Sequence, residues 1–120
     1  MTLEINLSGG RLTIAPEVLA IMAGVSATEC YGIVGMASRK IKDGIAELLG
    51  RDNLSRGVEV KIEGNTIRVR LYIVVGYGTR ISEVANNVME KVKYTLQEAT
   101  GVEVSRVEIY VQGVKVGEHQ

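Results

Sequence analysis

Residues 58–75 read "VEVKIEGNTIRVRLYIVV", two runs of alternation that meet at Gly64-Asn65. A period of two marks strands with one covered face and one wet face. A glycine followed by asparagine suits a two-residue hairpin turn. Pairing across that turn sets Ile62 opposite Ile67, Val60 opposite Val69 and Val58 opposite Leu71, all on one face. The other face carries Glu59, Lys61, Arg68 and Arg70. Glu59 opposite Arg70 is a favourable pair; Lys61 opposite Arg68 is not, and nearby Glu63 offsets it. The hairpin is therefore buried on one side and wet, or partner-covered, on the other.

Downstream, "GYG" at 76–78 leads into a long helix. Ile81, Val84, Val88, Val92, Leu96 and Ala99 form its apolar stripe, with Asn87, Glu90, Lys91 and Glu98 lying away from it. Thr79 or Ser82 suits its start, and Gly101 stops it. In "VSRVEIYVQGVKV", residues 104–116, Val107, Ile109 and Val111 point one way and Glu108, Tyr110 and Gln112 the other. The phase break after Val104 predicts a bulge near Ser105-Arg106.

Upstream, Leu12 and Ile14 alternate as a short strand, and Pro16 suits the first turn of a helix. Val18, Ile21, Met22 and Val25 recur at helical spacing. Ala20, Gly24 and Ala27 add a stripe of small residues, a seam for close packing either inside the chain or between copies of it. In "YGIVGMASRKIKDG", residues 31–44, Ile33 and Val34 are β-branched, which predicts a short covered strand with Gly32 and Gly35 serving packing. A second, shorter helix is expected through Ile41, Ile45 and Leu48, with Ser38 as its cap and Gly44 weakening it. Residues 50–57 form a loop by composition. The expected order is β-α-(β)-α-β-β-α-β: one α+β domain over residues 1–120, a mixed sheet with its helices on one face.

Composition limits the functions open to such a chain. Its 120 residues are 46% hydrophobic and 23% charged, which reads as globular. Fourteen basic and fourteen acidic residues cancel, which argues against polyanion binding as the main task. Cys30 is the single cysteine, so no internal disulfide is possible and an intracellular setting is favoured. No run approaches the roughly 20 apolar residues of a membrane span. The start "MTLEINLSGG" has neither the basic nor the apolar region of a signal peptide. A cytoplasmic protein is expected.

Catalysis lacks parts. The single histidine, His119, stands next to the end of the sequence, and Cys30 has no evident activator. The acidic residues stand mostly singly, so neither a metal nor a cofactor is expected. Nucleic acid is the stronger alternative. If residues 31–37 were a loop between two helices, Gly32 and Gly35 would resemble the GXXG clamp of a KH domain, with Arg39, Lys40 and Lys42 following along a phosphate backbone. Ile33 and Val34 would then be wet for no gain, which favours the covered strand.

Four blocks, "IAPEVLAIMAG", "YGIVGMAS", "YGTRISEVANNV" and "YVQGV", together resemble the alkaline shock protein family, also called the envelope stress response family of Gram-positive bacteria. The likeness runs from about residue 9 to 116, and "SRGV" and "KVKYT" are most similar to its YloU-like branch. It implies a cytoplasmic protein without catalytic residues, working through protein partners. It also implies self-association into a dimer or higher oligomer, and a position at the membrane through a separate anchored partner rather than by insertion.

Overall fold

In the computed structural model, residues 2–42 and 45–116 are described, those at 40–42, 45–47, 51 and 52 as backbone only. Strand β1 (Leu3–Leu7) turns back into β2 (Gly10–Ile14), and helix α1 (Pro16–Thr28) follows. Next come β3 (Ile33–Lys42), β4 (Ile45–Leu48), a 3-10 turn (Arg51–Gly57), β5 (Val58–Glu63) and β6 (Thr66–Gly76). Helix α2 (Ile81–Thr100) then crosses over to β7 (Glu103–Lys115). The α+β class holds, and the sheet is mixed.

Strand β6 is the axis of that sheet. One edge pairs with β5 over residues 66–71 and then with β3 over 73–75, both antiparallel. The other edge pairs in parallel with β7 along its whole length, as a strand–helix–strand crossover allows. The hairpin register is the one expected from the sequence, Val58↔Leu71 through Ile62↔Ile67. Gly64 takes φ +58°, the left-handed value that glycine supplies at the first position of such a turn. The bulge in β7 falls at Ser105, where Val104 pairs with Ile67 and Arg106 with Arg68. A second bulge, at Gln112, was not foreseen.

Both helices cover one face of this sheet. Val84, Val88, Val92 and Leu96 of α2 join Ile67, Val69, Leu71 and Ile73 of β6 in the core. The ends of the expected stripe turn outward: Ile81 and Ala99 are exposed. Gly101 closes α2 at φ +74° with its N–H bonded to the Gln97 carbonyl. Arg80, not Thr79 or Ser82, is the N-cap residue, and it has no side-chain cap bond. The Thr79 hydroxyl instead donates to the Gly76 carbonyl at 2.8 Å and braces the turn before the helix.

Two expectations fail here. The helix through Ile41, Ile45 and Leu48 is a β-hairpin, with Lys42 paired to Ile45 and Ala37 to Leu48. Spacings of four and three fit a helix, but Ile41 and Ile45 are β-branched and fit strands equally well once β4 folds back onto β3. Only Asp43-Gly44 stands between the paired residues, a dipeptide that favours two-residue hairpin turns and was the missed signal. Those two positions lie outside the described residues. The N-terminal strand β1 was also missed, although Leu3, Ile5 and Leu7 alternate ahead of Ser8-Gly9. Leu3 is buried and pairs with Ile14.

Helix α1 is turned over relative to its expected orientation. Leu19, Ala20, Ala23, Gly24, Ser26 and Ala27 are buried, while Val18, Ile21 and Val25 are 48%, 49% and 40% exposed. Gly24 explains the choice of face. A Cβ there would stand 3.3 Å from Leu54 Cβ and 3.6 Å from Val58, so the small-residue stripe is what lets α1 seat on the 3-10 turn and β5.

Candidate interaction faces

The outer sheet face is built by register. Strands β5, β6 and β7 lie side by side, and every second residue points away from the helices. One rank across the three strands is Glu59, Arg70 and Glu108. Arg70 closes it, donating from Nε to Glu108 at 3.1 Å and from Nη1 to Glu59 at 3.2 Å. Arg39 on β3 extends the chain of charges with a 2.8 Å bond to Glu59, and Arg106 adds a 2.9 Å bond to Glu108. The hydrogen bond from Arg70, then that from Arg106, holds the Glu108 carboxyl below its ordinary range, and Glu108 in turn keeps Arg70 firmly protonated.

Two further ranks flank this one. On one side Tyr72 and Tyr110 stack with ring centroids 5.1 Å apart, and the Arg70 guanidinium lies 5.5 Å from the Tyr110 centroid. On the other side stand Lys61, Arg68 and Arg106, three cations abreast. Arg68 reaches back to Glu63 at 3.2 Å, the compensation the sequence suggested.

The second face is on the helices. Ile21, Met22 and Val25 of α1 line an open groove that continues to Lys91 and Thr95 of α2. A Glu29–Lys91 pair at 3.5 Å joins the two helices near it. Cys30, two residues past the end of α1, is half-buried, its thiol donating weakly to the Ser26 carbonyl at 3.7 Å, with burial pushing its pKa up. A raised thiol pKa means little thiolate and low reactivity.

The structure places the other singled-out residues as follows. Ala20, Gly24 and Ala27 lie together and are buried within the chain, the inner of the two placements the sequence left open. Gly32 takes φ +89° and a Cβ there would stand 2.6 Å from Val84 Cγ2; at Gly35 it would meet Leu48 Cδ1 at 3.1 Å. Both glycines therefore bring β3 close to its neighbours. Ile33 is half-buried, but Val34 is 39% exposed, against the expectation that both would be covered. No loop between two helices exists at 33–42, which removes the geometry of a KH-type clamp. Arg39 is committed to Glu59. The side chains of Lys40 and Lys42, and His119, lie outside the described residues. Sequence reasoning missed the exposed α1 row and the third cation, Arg106. It also missed Tyr31 and Tyr77, 84% and 76% exposed, which flank the bond from Gly76 N–H to the Gly32 carbonyl.

Among the described residues no three His, Cys, Asp or Glu side chains gather as a metal site, and no helix is long and apolar enough to cross a membrane. Among the described residues, the fold assembles two helices on one face of a five-stranded sheet, with a charged face on the far side of that sheet and an apolar row on α1. Residues 4–116 match the alkaline shock protein 23 family, described as having a cell envelope-related function, and the chain belongs to that family. The uncharacterized protein YloU of Bacillus subtilis (strain 168) is 53% identical over 117 residues, 97% of this chain and 98% of its own. The uncharacterized protein Spy1614 of Streptococcus pyogenes serotype M6 is 43% identical over 117 residues, covering 97% of each. Among solved structures, the copper form of the MamM CTD superposes with a TM-score of 0.50 at 12% identity, over 87% of this chain and 91% of that one. That likeness is one of fold alone.

Proposed function

We propose that this chain is a non-enzymatic cytoplasmic protein of the cell envelope that works through protein–protein contacts, including contacts with copies of itself. The observation that carries this reading is the exposed row Val18, Ile21 and Val25 on α1. These residues recur along one face of a helix whose opposite face is already buried, and Ile21 and Val25 border a groove. A contiguous exposed apolar patch marks a contact surface in a way that singly scattered apolar residues do not. The family's cell envelope-related function supports an indirect position near the membrane, held there by a partner.

Mass measurement by light scattering tests self-association. The wild-type chain is expected to exceed its 13.0 kDa monomer mass as concentration rises. Ile21→Glu should remain folded, since that side chain is already half in water, and should run as a monomer. A wild-type chain that stays monomeric at every accessible concentration overturns the self-association. Substrate turnover by the purified chain, lost on one point substitution, overturns the non-enzymatic reading.

A further inference from the structure

Lys61, Arg68 and Arg106 stand abreast on adjacent strands, with Lys61 directly paired to Arg68 and Arg68 to Arg106. Like charges in direct cross-strand register oppose folding. The neighbouring rank shows what the same sheet does when charges are arranged for stability: Glu59, Arg70 and Glu108 alternate in sign and are hydrogen-bonded throughout. The cationic rank is only partly compensated. Arg106 shares Glu108 with Arg70, Arg68 has Glu63 at the turn, and no ion pair to Lys61 occurs among the described residues. Lys61 is exposed and the Arg106 side chain is 65% exposed. The three line one shallow depression with Glu59, Arg70 and Glu108.

We propose that this rank is a docking site for an acidic segment of a partner protein, read through its carboxylates. Three adjacent strands span about 10 Å from Lys61 to Arg106, and alternate side chains of an extended segment lie about 7 Å apart. Two carboxylates at alternate positions, on a segment crossing the strands, therefore fall within reach of all three cations. Each guanidinium presents a fork of N–H donors, most of them still free for a carboxylate. A nucleic-acid strand fits less well. Its charge continues in both directions, and Glu63, Glu59 and Glu108 border the rank and repel it, whereas a short acidic motif carries its charge only where the cations are. This inference rests on the reading of the chain as a protein-contact module, but it uses the opposite face from the α1 row.

The test is fluorescence anisotropy of the full chain with a short labelled peptide bearing glutamate at alternate positions. The same peptide with glutamine serves as control, and oligouridylate and inorganic phosphate as competitors. The glutamate peptide should bind, weaken about tenfold from low to physiological salt, and outcompete both phosphate and oligouridylate. Lys61→Gln and Arg106→Gln should each weaken binding about fivefold or more, while Lys61→Gln leaves the melting temperature of the free chain equal or higher. Equal binding of the glutamine peptide, no binding at low salt, or preferential binding of oligouridylate overturns the proposal. So does a Lys61→Gln chain that binds normally. A monomeric wild-type chain that still binds the glutamate peptide defeats self-association alone, which separates the two failures.

Discussion

Gly32 and Val84 meet where β3 enters the sheet beneath α2: a Cβ on Gly32 would lie 2.6 Å from Val84 Cγ2, with Gly32 held at φ +89°. Alanine there is penalised twice, by the left-handed backbone and by the collision with a buried valine. Gly32→Ala should cost about 2–4 kcal/mol in urea unfolding, whereas Gly50→Ala, with open space around the new methyl, should stay within about 0.5 kcal/mol. A Gly32→Ala chain as stable as the wild type would remove the packing role assigned to this glycine.

The small-residue stripe of α1 gives a graded prediction. Gly24→Ala adds a methyl against Leu54 but gains helix propensity, and the two effects should nearly cancel. Gly24→Leu overfills the same gap and should lose about 3 kcal/mol or more. A Gly24→Leu chain that keeps its melting temperature and loses oligomeric mass would return the stripe to the surface between copies.

Helix α2 should be asymmetric along its apolar stripe. Leu96 is fully buried, and Leu96→Ala should cost about 2–5 kcal/mol. Ile81 is 45% exposed, so Ile81→Ala should cost less than about 1 kcal/mol. Similar losses at both positions would mean that the first turn of α2 is covered more fully than the structure has it.

Acid should act through Glu108. Its folded pKa lies below the ordinary 4.5, first because Arg70 and then because Arg106 donates to it. The stability it contributes is therefore present above the ordinary value and disappears as pH falls through the folded one. Melting temperatures should drop for the wild type below pH 4.5, and Glu108→Gln should be less stable at neutral pH with a shallower acid limb. Parallel acid limbs for the two chains would show that Glu108 carries none of this dependence.

Several elements were readable from residue order because their signals are local. The 58–75 hairpin announced its register through period two and one glycine-bearing turn, and α2 through a stripe repeated over five turns. The opposition of Lys61 and Arg68, and the compensation by Glu63, followed from that register alone. Family membership was equally legible in four short blocks. The segment 38–48 was not, because Ile41, Ile45 and Leu48 carry helical spacing and the pairing that makes strands of them leaves no periodic mark.

Only the tertiary structure chose among such alternatives. The edge of β6 holds β3 through 33–36, and β4 then folds back onto β3, since distant partners supply backbone hydrogen bonds that no local pattern records. Helix α1 is apolar on two faces, and Leu54 and Val58 took the one that allows closest approach, leaving Val18, Ile21 and Val25 outside. Arg106 joined Lys61 and Arg68 because α2 carries β7 back beside β6 in parallel, with a bulge that sets its phase. The cationic rank is thus a product of non-local register: 45 positions separate Lys61 from Arg106 in the chain, and two strand spacings separate them in the fold.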